Sequence, residues 1–239
     1  MLFRLADIQS PTGLLSALSE IDVAVPARTG GRKKHHTETY IACRLLSTLT
    51  ANSRLMFPVS VSRRDRPDVL MHTGDVRVGI EIPKRFAALC ALAEREEFTH
   101  QWLAVDLFQG EAEALNKDEM RAQLRAAAKP DRGWLSDAPE REWASFIKGK
   151  IEDKLEKLAH HDFEKFDKNW LSIYDNLPLP NVRLARAIEI LRTLLKGIWV
   201  AVPKFDALFI EHGPVIARIT AEETEHLVIA NLWQSEVTR

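Results

Sequence analysis

Cysteine is scarce in this chain, and long apolar runs are absent from it. The 239 residues include two cysteines, Cys43 and Cys90, which cannot build a disulfide framework or a cysteine zinc site. No run of about 18 apolar residues occurs that could span a membrane, and the first residues lack the basic region and apolar core of a secretory signal. These absences predict a protein of the reducing cytoplasm that makes no membrane contact.

An excess of positive charge is missing as well. The 33 lysines and arginines are balanced by 34 aspartates and glutamates, so the formal net charge is −1. Proteins that coat nucleic acid without specificity are usually strongly basic. That class is therefore excluded, and any basic surface must be local. With 46% apolar and 28% charged residues, the composition is that of an ordinary globular protein.

Common catalytic and metal-binding motifs are also absent. The sequence contains no Gly-rich phosphate loop, no nucleophile elbow and no zinc pattern. Two histidine pairs occur, His35 with His36 and His160 with His161, but adjacent residues of a helix point in different directions. Neither pair therefore has the spacing of a two-ligand metal site.

What is present is a pair of acidic residues in an otherwise apolar hairpin. Pro67–His72 and Val76–Ile82 are typical of two strands joined by a Thr-Gly-Asp turn. They carry Asp68 and Glu81. By the period of two, Glu81 shares its face with Gly79, which leaves room for a ligand or another backbone. The pattern indicates a site, and the alternative is a solvated edge strand that carries Glu81.

The residues Pro67-Asp68 and Glu81 resemble the pattern of the PD-(D/E)XK nuclease superfamily. In that superfamily a Pro-Asp opens one strand, and an acidic residue two positions before a lysine ends the next. The resemblance implies Mg²⁺-dependent hydrolysis of DNA phosphodiesters, with Mn²⁺ as a substitute. Asp68, Glu81, the carbonyl of Ile82 and Glu38 would hold the ion, which prefers oxygen ligands. If the two strand carboxylates converge, their repulsion should raise the pKa of one of them.

The lysine of the superfamily pattern is displaced in this chain. Pro83 stands where the pattern has lysine, and Lys84 points to the opposite face. A helix predicted from Ala138 to His160 carries three lysines along one border, and the resemblance implies that Lys154 among them takes the catalytic role. Lys150 is the substitute by helical spacing. The alternative is an ordinary amphipathic helix bordered by lysines.

Glu38 begins the apolar stripe of a helix predicted from Thr37 to Thr50. It leans toward the core, although an acid in a first helical turn also complements the helix dipole. The preceding stretch, Pro26–His36, is predicted to be a flexible basic loop. After the next strand, Phe57–Ser62, three arginines crowd the turn before Asp68, where they could contact phosphate or simply be solvated; they are Arg63, Arg64 and Arg66.

The predicted elements give an α/β fold with a restriction-endonuclease-like αβββαβ core, a central mixed sheet and flanking helices. Asn169–Asp175 supplies the last core strand. We expect one domain, 1–239, with its core at about 37–84 and 138–176. A helical insertion is predicted over about 85–137, where Asp106 is a weaker candidate for a third acid.

The C-terminal extension, 181–239, is predicted to hold two helices and a hairpin. Asn181 would cap a helix that ends near Lys196. Phe205–His212 and Val215–Thr220 form the hairpin through a Gly-Pro turn. Thr220 with Glu223 has the form of a capping box, which predicts a last helix to about Gln234.

Three functions remain open at this point. The resemblance favours a nuclease that acts on nucleic acid, with DNA as the expected substrate, and a homodimer is compatible with it. The loss of the strand lysine favours a nuclease-like module that binds or assembles without chemistry. A plain α/β domain without any site is the third alternative, and there Asp68 and Glu81 should not converge.

Overall fold

The computed structural model has an eight-stranded mixed sheet as its central element. It describes residues 3–26, 31, 33–83, 137–161, 163–175, 177, 179 and 181–233. The order of the strands across the sheet follows their order in the chain. They are β1 Arg4–Ile8, β2 Val59–Arg63, β3 Val69–Thr73, β4 Val76–Glu81, β5 Lys168–Tyr174, β6 Ala207–His212, β7 Val215–Ile219 and β8 Thr224–Val228.

Four helices lie in the described part of the chain. They are α1 Pro11–Ser19, α2 Lys34–Ala51, α3 Ala138–Leu158 and α4 Leu184–Leu194. The prediction of an α/β protein with a central mixed sheet and flanking helices is therefore confirmed. Along the described part of the chain, the elements α2, β2, β3, β4, α3 and β5 occur in the αβββαβ order, an order that does not by itself define a family.

Strand direction changes in the middle of the sheet. The strands β1 to β4 pair antiparallel, β4 pairs parallel with β5, β5 pairs parallel with β6, and β6 to β8 are antiparallel again. The carboxyl ends of β4, β5 and β6 therefore point to the same edge of the sheet. Ligands of open α/β sheets bind outside such carboxyl ends.

Two compact units divide the chain. One comprises the described residues of Met1–Pro83, Lys154–Asp175 and Trp199–Arg239, and the other those of Lys84–Asp153 and Asn176–Ile198. The whole sheet, α1, α2 and the end of α3 belong to the first unit. In the second, the Glu140 carboxylate accepts hydrogen bonds from Arg183 at the start of α4.

The core of the first unit forms where α2 covers one face of the sheet. Its stripe of Ile41, Leu45 and Leu49 is buried together with Val78 and Ile80 of β4. Residues four apart lie on one side of a helix, and alternate residues lie on one face of a strand. The apolar residues of α2 therefore pack against those of β4, and Gly79 and Glu81 point to the opposite face of the sheet.

The helix α2 begins earlier than predicted. It starts at Lys34 rather than near Thr37, so the predicted basic loop is wrong for its last residues. Two lysines near a helix N-terminus are unfavourable because they face the positive end of the helix dipole. Lys34 is compensated by Glu38 on the next turn, 2.6 Å from its Nζ, and by Asp68.

The predicted last helix is wrong, because the chain after Thr220 forms the strand β8. The Thr220 hydroxyl accepts hydrogen bonds from the amides of Glu222 and Glu223, as a helix N-cap would. However, the Thr220 amide donates to the Glu223 carbonyl, which closes a turn back to β7. A capping pattern and a hairpin turn share these local bonds.

The position of the predicted cap of α4 is also wrong. Arg183, not Asn181, is the N-cap residue, and no side chain caps the helix there. The predicted insertion, with Asp106, lies outside the described residues apart from Asp137, and so do Cys90 and Lys84. The division of one domain into core, insertion and extension stays a prediction.

An aromatic ring lies directly against Gly79. A Cβ atom added there would be 2.6 Å from Cδ2 of Phe166, in the segment between α3 and β5. The sequence predicted a close approach by a ligand or a backbone at this glycine, and the approaching group is a side chain instead. The absence of a Cβ therefore serves packing between β4 and the segment before β5.

Gly79→Ala should lower the free energy of unfolding by about 1–3 kcal/mol, because the added methyl group overlaps the Phe166 ring. Gly149→Ala is the matched control. Among the described residues, no atom apart from its chain neighbours and its own helix backbone lies within 4 Å of its added Cβ on α3, so it should stabilise the protein by about 0.5–1 kcal/mol. Urea denaturation measures both. Equal stability of Gly79→Ala and the unmodified protein would contradict the packing role.

Candidate functional site

The register of the β3–β4 hairpin brings Asp68 and Glu81 together. Val69 pairs with Ile80, so continuing the register by one residue sets Asp68 opposite Glu81. Directly opposed residues have Cβ atoms about 4.5–5.5 Å apart and point to the same face. Asp68 is 2% exposed and Glu81 8%. Since β4 lies between β3 and β5, the alternative of a solvated edge strand is wrong.

Asp68 is held by donors on both of its carboxylate oxygens. Oδ2 accepts a hydrogen bond from the backbone amide of Ile82 at 2.8 Å. Oδ1 accepts one from Nζ of Lys34, also at 2.8 Å. Ile82 follows the last residue of β4, so the Asp68 side chain continues the ladder where the strand ends. The predicted ligand residue Ile82 thus adjoins the site.

Lys154 reaches both acids from α3. Its Nζ lies 2.6 Å from Oε2 of Glu81 and 3.5 Å from Oδ2 of Asp68, and its side chain is 13% exposed. One nitrogen contacts an oxygen of each acid, so the two carboxylates converge on one point. Lys150, the predicted substitute, lies 3.8 Å from Asp153 on its own helix.

Glu38 is joined to this group through cations. Glu38 is 3% exposed, and its carboxylate accepts hydrogen bonds from Nη2 and Nε of Arg63, at 3.1 and 3.3 Å. Nζ of Lys34 lies 2.6 Å from its Oε1 and thereby links Glu38 to Asp68. Complementing the helix dipole, the alternative role for Glu38, does not account for this burial and pairing.

Three buried carboxylates and three cations make up this cluster, which we call the acid–lysine site. Within the described ranges, no three or more His, Cys, Asp or Glu side chains form a group that could hold a metal ion. Among the predicted ligands, Asp68 and Glu81 converge and Ile82 adjoins them. Glu38 is linked to Asp68 through the ammonium of Lys34. The six side chains are Lys34, Glu38, Arg63, Asp68, Glu81 and Lys154.

The two converging acids have pKa values that differ in direction. Burial raises the pKa of Glu81, and the negative Asp68 adds to the rise against the opposing effect of Lys154. Burial acts on Asp68 as well, but Lys154, Lys34 and the Ile82 amide outweigh it and lower its pKa. The pKa of Glu81 shifts in the predicted direction, but burial is the largest cause of the rise, and the predicted repulsion by Asp68 is a smaller one. Glu81 is therefore the first of the two to take up a proton.

Sequence reasoning missed Lys34 and misassigned Arg63. Lys34 was expected in a loop, and Arg63 was grouped with arginines of a turn. A helix start at Lys34 could have been found from its spacing of four to Glu38, which is the spacing of a helical ion pair. Arg64 instead pairs with Glu164 at 2.9 Å, and Arg77 contacts the same carboxylate.

The chain matches no family model, no curated protein and no solved structure. No described helix is long and apolar enough to cross a membrane. The resemblance to the PD-(D/E)XK nucleases therefore rests on residues of this chain: the dipeptide Pro67-Asp68, Glu81 and a lysine brought to both acids.

Lys154→Met should lower the free energy of unfolding at pH 7 by roughly 3 kcal/mol, because it leaves two buried carboxylates with one cation fewer. It should also raise the pKa of Glu81 further, since Lys154 opposes the rise. An acid whose pKa is higher in the folded state binds its proton more tightly there, so acidification favours folding. The deficit should therefore shrink between pH 7 and pH 5.

Urea denaturation at both pH values measures this effect against a control variant. Lys157→Met removes an exposed lysine from the last turn of the same helix, so it should change stability by less than about 0.5 kcal/mol. Referring each value to this control removes the titration of other acids. A deficit of Lys154→Met that grows toward pH 5 would contradict the assignment of the raised pKa.

Proposed function

We propose that the protein is a metal-dependent nuclease that hydrolyses phosphodiester bonds in DNA. One observation carries the proposal. The ammonium of Lys154, on α3, lies 2.6 Å from Glu81 and 3.5 Å from Asp68, the two acids of the β3–β4 hairpin. Pro83 replaces the strand lysine of the PD-(D/E)XK pattern in this chain. A nuclease of that superfamily then needs a lysine from another element beside the two acids, and Lys154 lies there.

The donor set fits Mg²⁺. Asp68, Glu81 and the carbonyl of Ile82 offer the oxygen ligands that this hard ion prefers, and the two carboxylates already attract two ammonium groups. Glu38 would add negative charge nearby. Bound there, the ion supplies polarisation of the phosphate and a lowered pKa of an attacking water. Mn²⁺ meets the same oxygen ligands.

The protein's own side chains divide the remaining work. Lys154 is fixed by its contact with Glu81, so its ammonium is preorganised to stabilise negative charge that develops on a phosphate oxygen. The Ile82 amide orients the Asp68 carboxylate. Arg63 holds Glu38. A buried, prearranged set of charges needs little reorganisation at the moment of reaction. Such electrostatic preorganisation is the largest source of rate enhancement in many enzymes.

Binding of a nucleic acid needs cations outside the acid pair. Lys34, Arg64 and Arg77 have side chains that are 39–53% exposed, and all three belong to the unit that holds the acid–lysine site. Phosphate contacts by such side chains supply affinity without sequence preference. Because the net charge of the chain is −1, the contact surface must be local, and these three side chains are our candidates for it.

A second candidate is a nuclease-like module that binds or assembles without cleaving. Two observations favour it. Pro83 stands where the strand lysine is expected, and among the described side chains no group of three metal ligands occurs. In that case Lys154 and Lys34 neutralise the buried acids permanently, and the charges serve only to hold the sheet edge together.

Purified protein should cleave duplex or single-stranded DNA with Mg²⁺ or Mn²⁺ and stop cleaving in EDTA. Lys154→Met should lower the rate about 10²- to 10³-fold, because a fixed cation at a developing oxyanion contributes about that much. Glu81→Gln should abolish cleavage and weaken Mn²⁺ binding, since it removes a charged ligand but keeps the shape. Lys157→Met, on the same helix, should cleave like the unmodified protein.

The outcomes separate the two candidates. Protein that cuts neither form of DNA, nor RNA, with either metal contradicts the nuclease and leaves the binding module, which a gel-shift assay then tests. If Lys154→Met cuts at the normal rate, only the lysine assignment is wrong. Lys150 and Lys84 are then the next lysines to replace.

A further inference from the structure

Lys34 bridges two buried acids from the solvent side. Its Nζ lies 2.6 Å from Oε1 of Glu38 and 2.8 Å from Oδ1 of Asp68. Its side chain is 53% exposed, whereas those of the two acids are almost completely buried. A single flexible lysine therefore supplies the outer positive charge of the acid–lysine site.

The position of Lys34 is not explained by the stability of its helix. It is the first residue of α2, where the positive end of the helix dipole disfavours a cation. Lys33 precedes it with the same charge. The contacts of Lys34 with Glu38 and Asp68 offset this cost, so the acids account for a lysine at this place.

Lys34 and a divalent ion compete for the carboxylate of Asp68. Its Oδ2 accepts the Ile82 amide and lies 3.5 Å from Nζ of Lys154, and its Oδ1 lies 2.8 Å from Nζ of Lys34. A divalent ion bound to this carboxylate repels the ammonium of Lys34 at so short a distance. The exposed four-carbon stem of Lys34 lets its ammonium leave for water, whereas Lys154 is 13% exposed.

We propose that Lys34 is a resident cation that occupies the outer side of the acid–lysine site and is displaced when a divalent ion binds. The inference rests on the proposed function, because the ion is the one assigned to Asp68 and Glu81. Lys34 keeps the buried acids paired in the metal-free protein. It also sets the ion concentration at which the site fills, since each ion must compete with it.

Removing Lys34 should make Mn²⁺ bind more tightly. In calorimetric titrations with Mn²⁺, Lys34→Met should bind about fivefold more tightly than the unmodified protein, which is the size of a partly exposed ion pair. Lys33→Met is the matched control, because it removes the same charge from the adjacent residue. Its affinity should change by much less. Lys34→Gln keeps a hydrogen-bond donor for the two acids and tests the inference if Lys34→Met does not fold.

Displacement can also be measured directly at the amine. Acetylation of the unmodified protein, followed by mass spectrometry, should proceed faster at Lys34 when Mn²⁺ is present, because the ammonium is then released from Glu38 and Asp68. Lys33 serves as the internal control and should react at the same rate with and without the metal. An unchanged rate at Lys34 with Mn²⁺ bound overturns the inference.

Two further outcomes are distinguishable. Equal or weaker Mn²⁺ binding by both Lys34 variants, with normal binding by the unmodified protein, overturns the competition by Lys34 and leaves the proposed ion site intact. Absence of Mn²⁺ binding from the unmodified protein and from every Lys34 variant overturns the ion site itself, and the competition with it. Tighter binding by Lys34→Gln than by Lys33→Gln supports the inference.

Discussion

The burial of three carboxylates is the constraint on which the site depends. A carboxylate taken out of water is stable only when cations or hydrogen-bond donors replace the lost hydration. Asp68, Glu81 and Glu38 obtain them from separate parts of the chain: the start of α2, the end of β2, the amide after β4 and a helix lysine. The site is therefore complete only when these elements are all in place.

Much of the first unit was predictable because its apolar periods are regular. The apolar residues of α2 recur at the helical period, and those of β4 recur at the strand period of two. The Thr-Gly-Asp sequence around Gly74 strongly favours a hairpin turn. The same regularity put Asp68 and Glu81 on one face. Lys154 was inferred in another way. Pro83 stands where the lysine was expected, and one border of the predicted helix carries three lysines that could replace it. Spacing alone could not choose among them, because the choice depends on how α3 lies against the hairpin.

The missed features share a physical cause. Local hydrogen bonds and charges do not by themselves determine whether the residues that follow form a helix, a strand or a loop. Thr220 makes the same hydrogen bonds at a helix start and at a tight turn, so the strand β8 was predicted as a helix. The start of α2 was hidden because two lysines disfavour a helix N-terminus. Glu38, four residues on, and the distant Asp68 together offset this cost. The contact with Asp68 leaves no mark in a local pattern, so only the spacing to Glu38 could have indicated the start at Lys34.

The contact between Phe166 and Gly79 bears on the alignment of the parallel strands as well as on their packing. Gly79 pairs with Asn169 of β5, and the guanidinium of Arg77 also lies over the Phe166 ring, 5.3 Å from its centroid. A shift of β5 by two residues would move the ring from Gly79 to a position on the same face that carries a Cβ atom, so the glycine favours one alignment among those that the hydrogen-bond ladder alone would allow. A position without a side chain in β4 thus favours one alignment of the parallel strands beside the two acids.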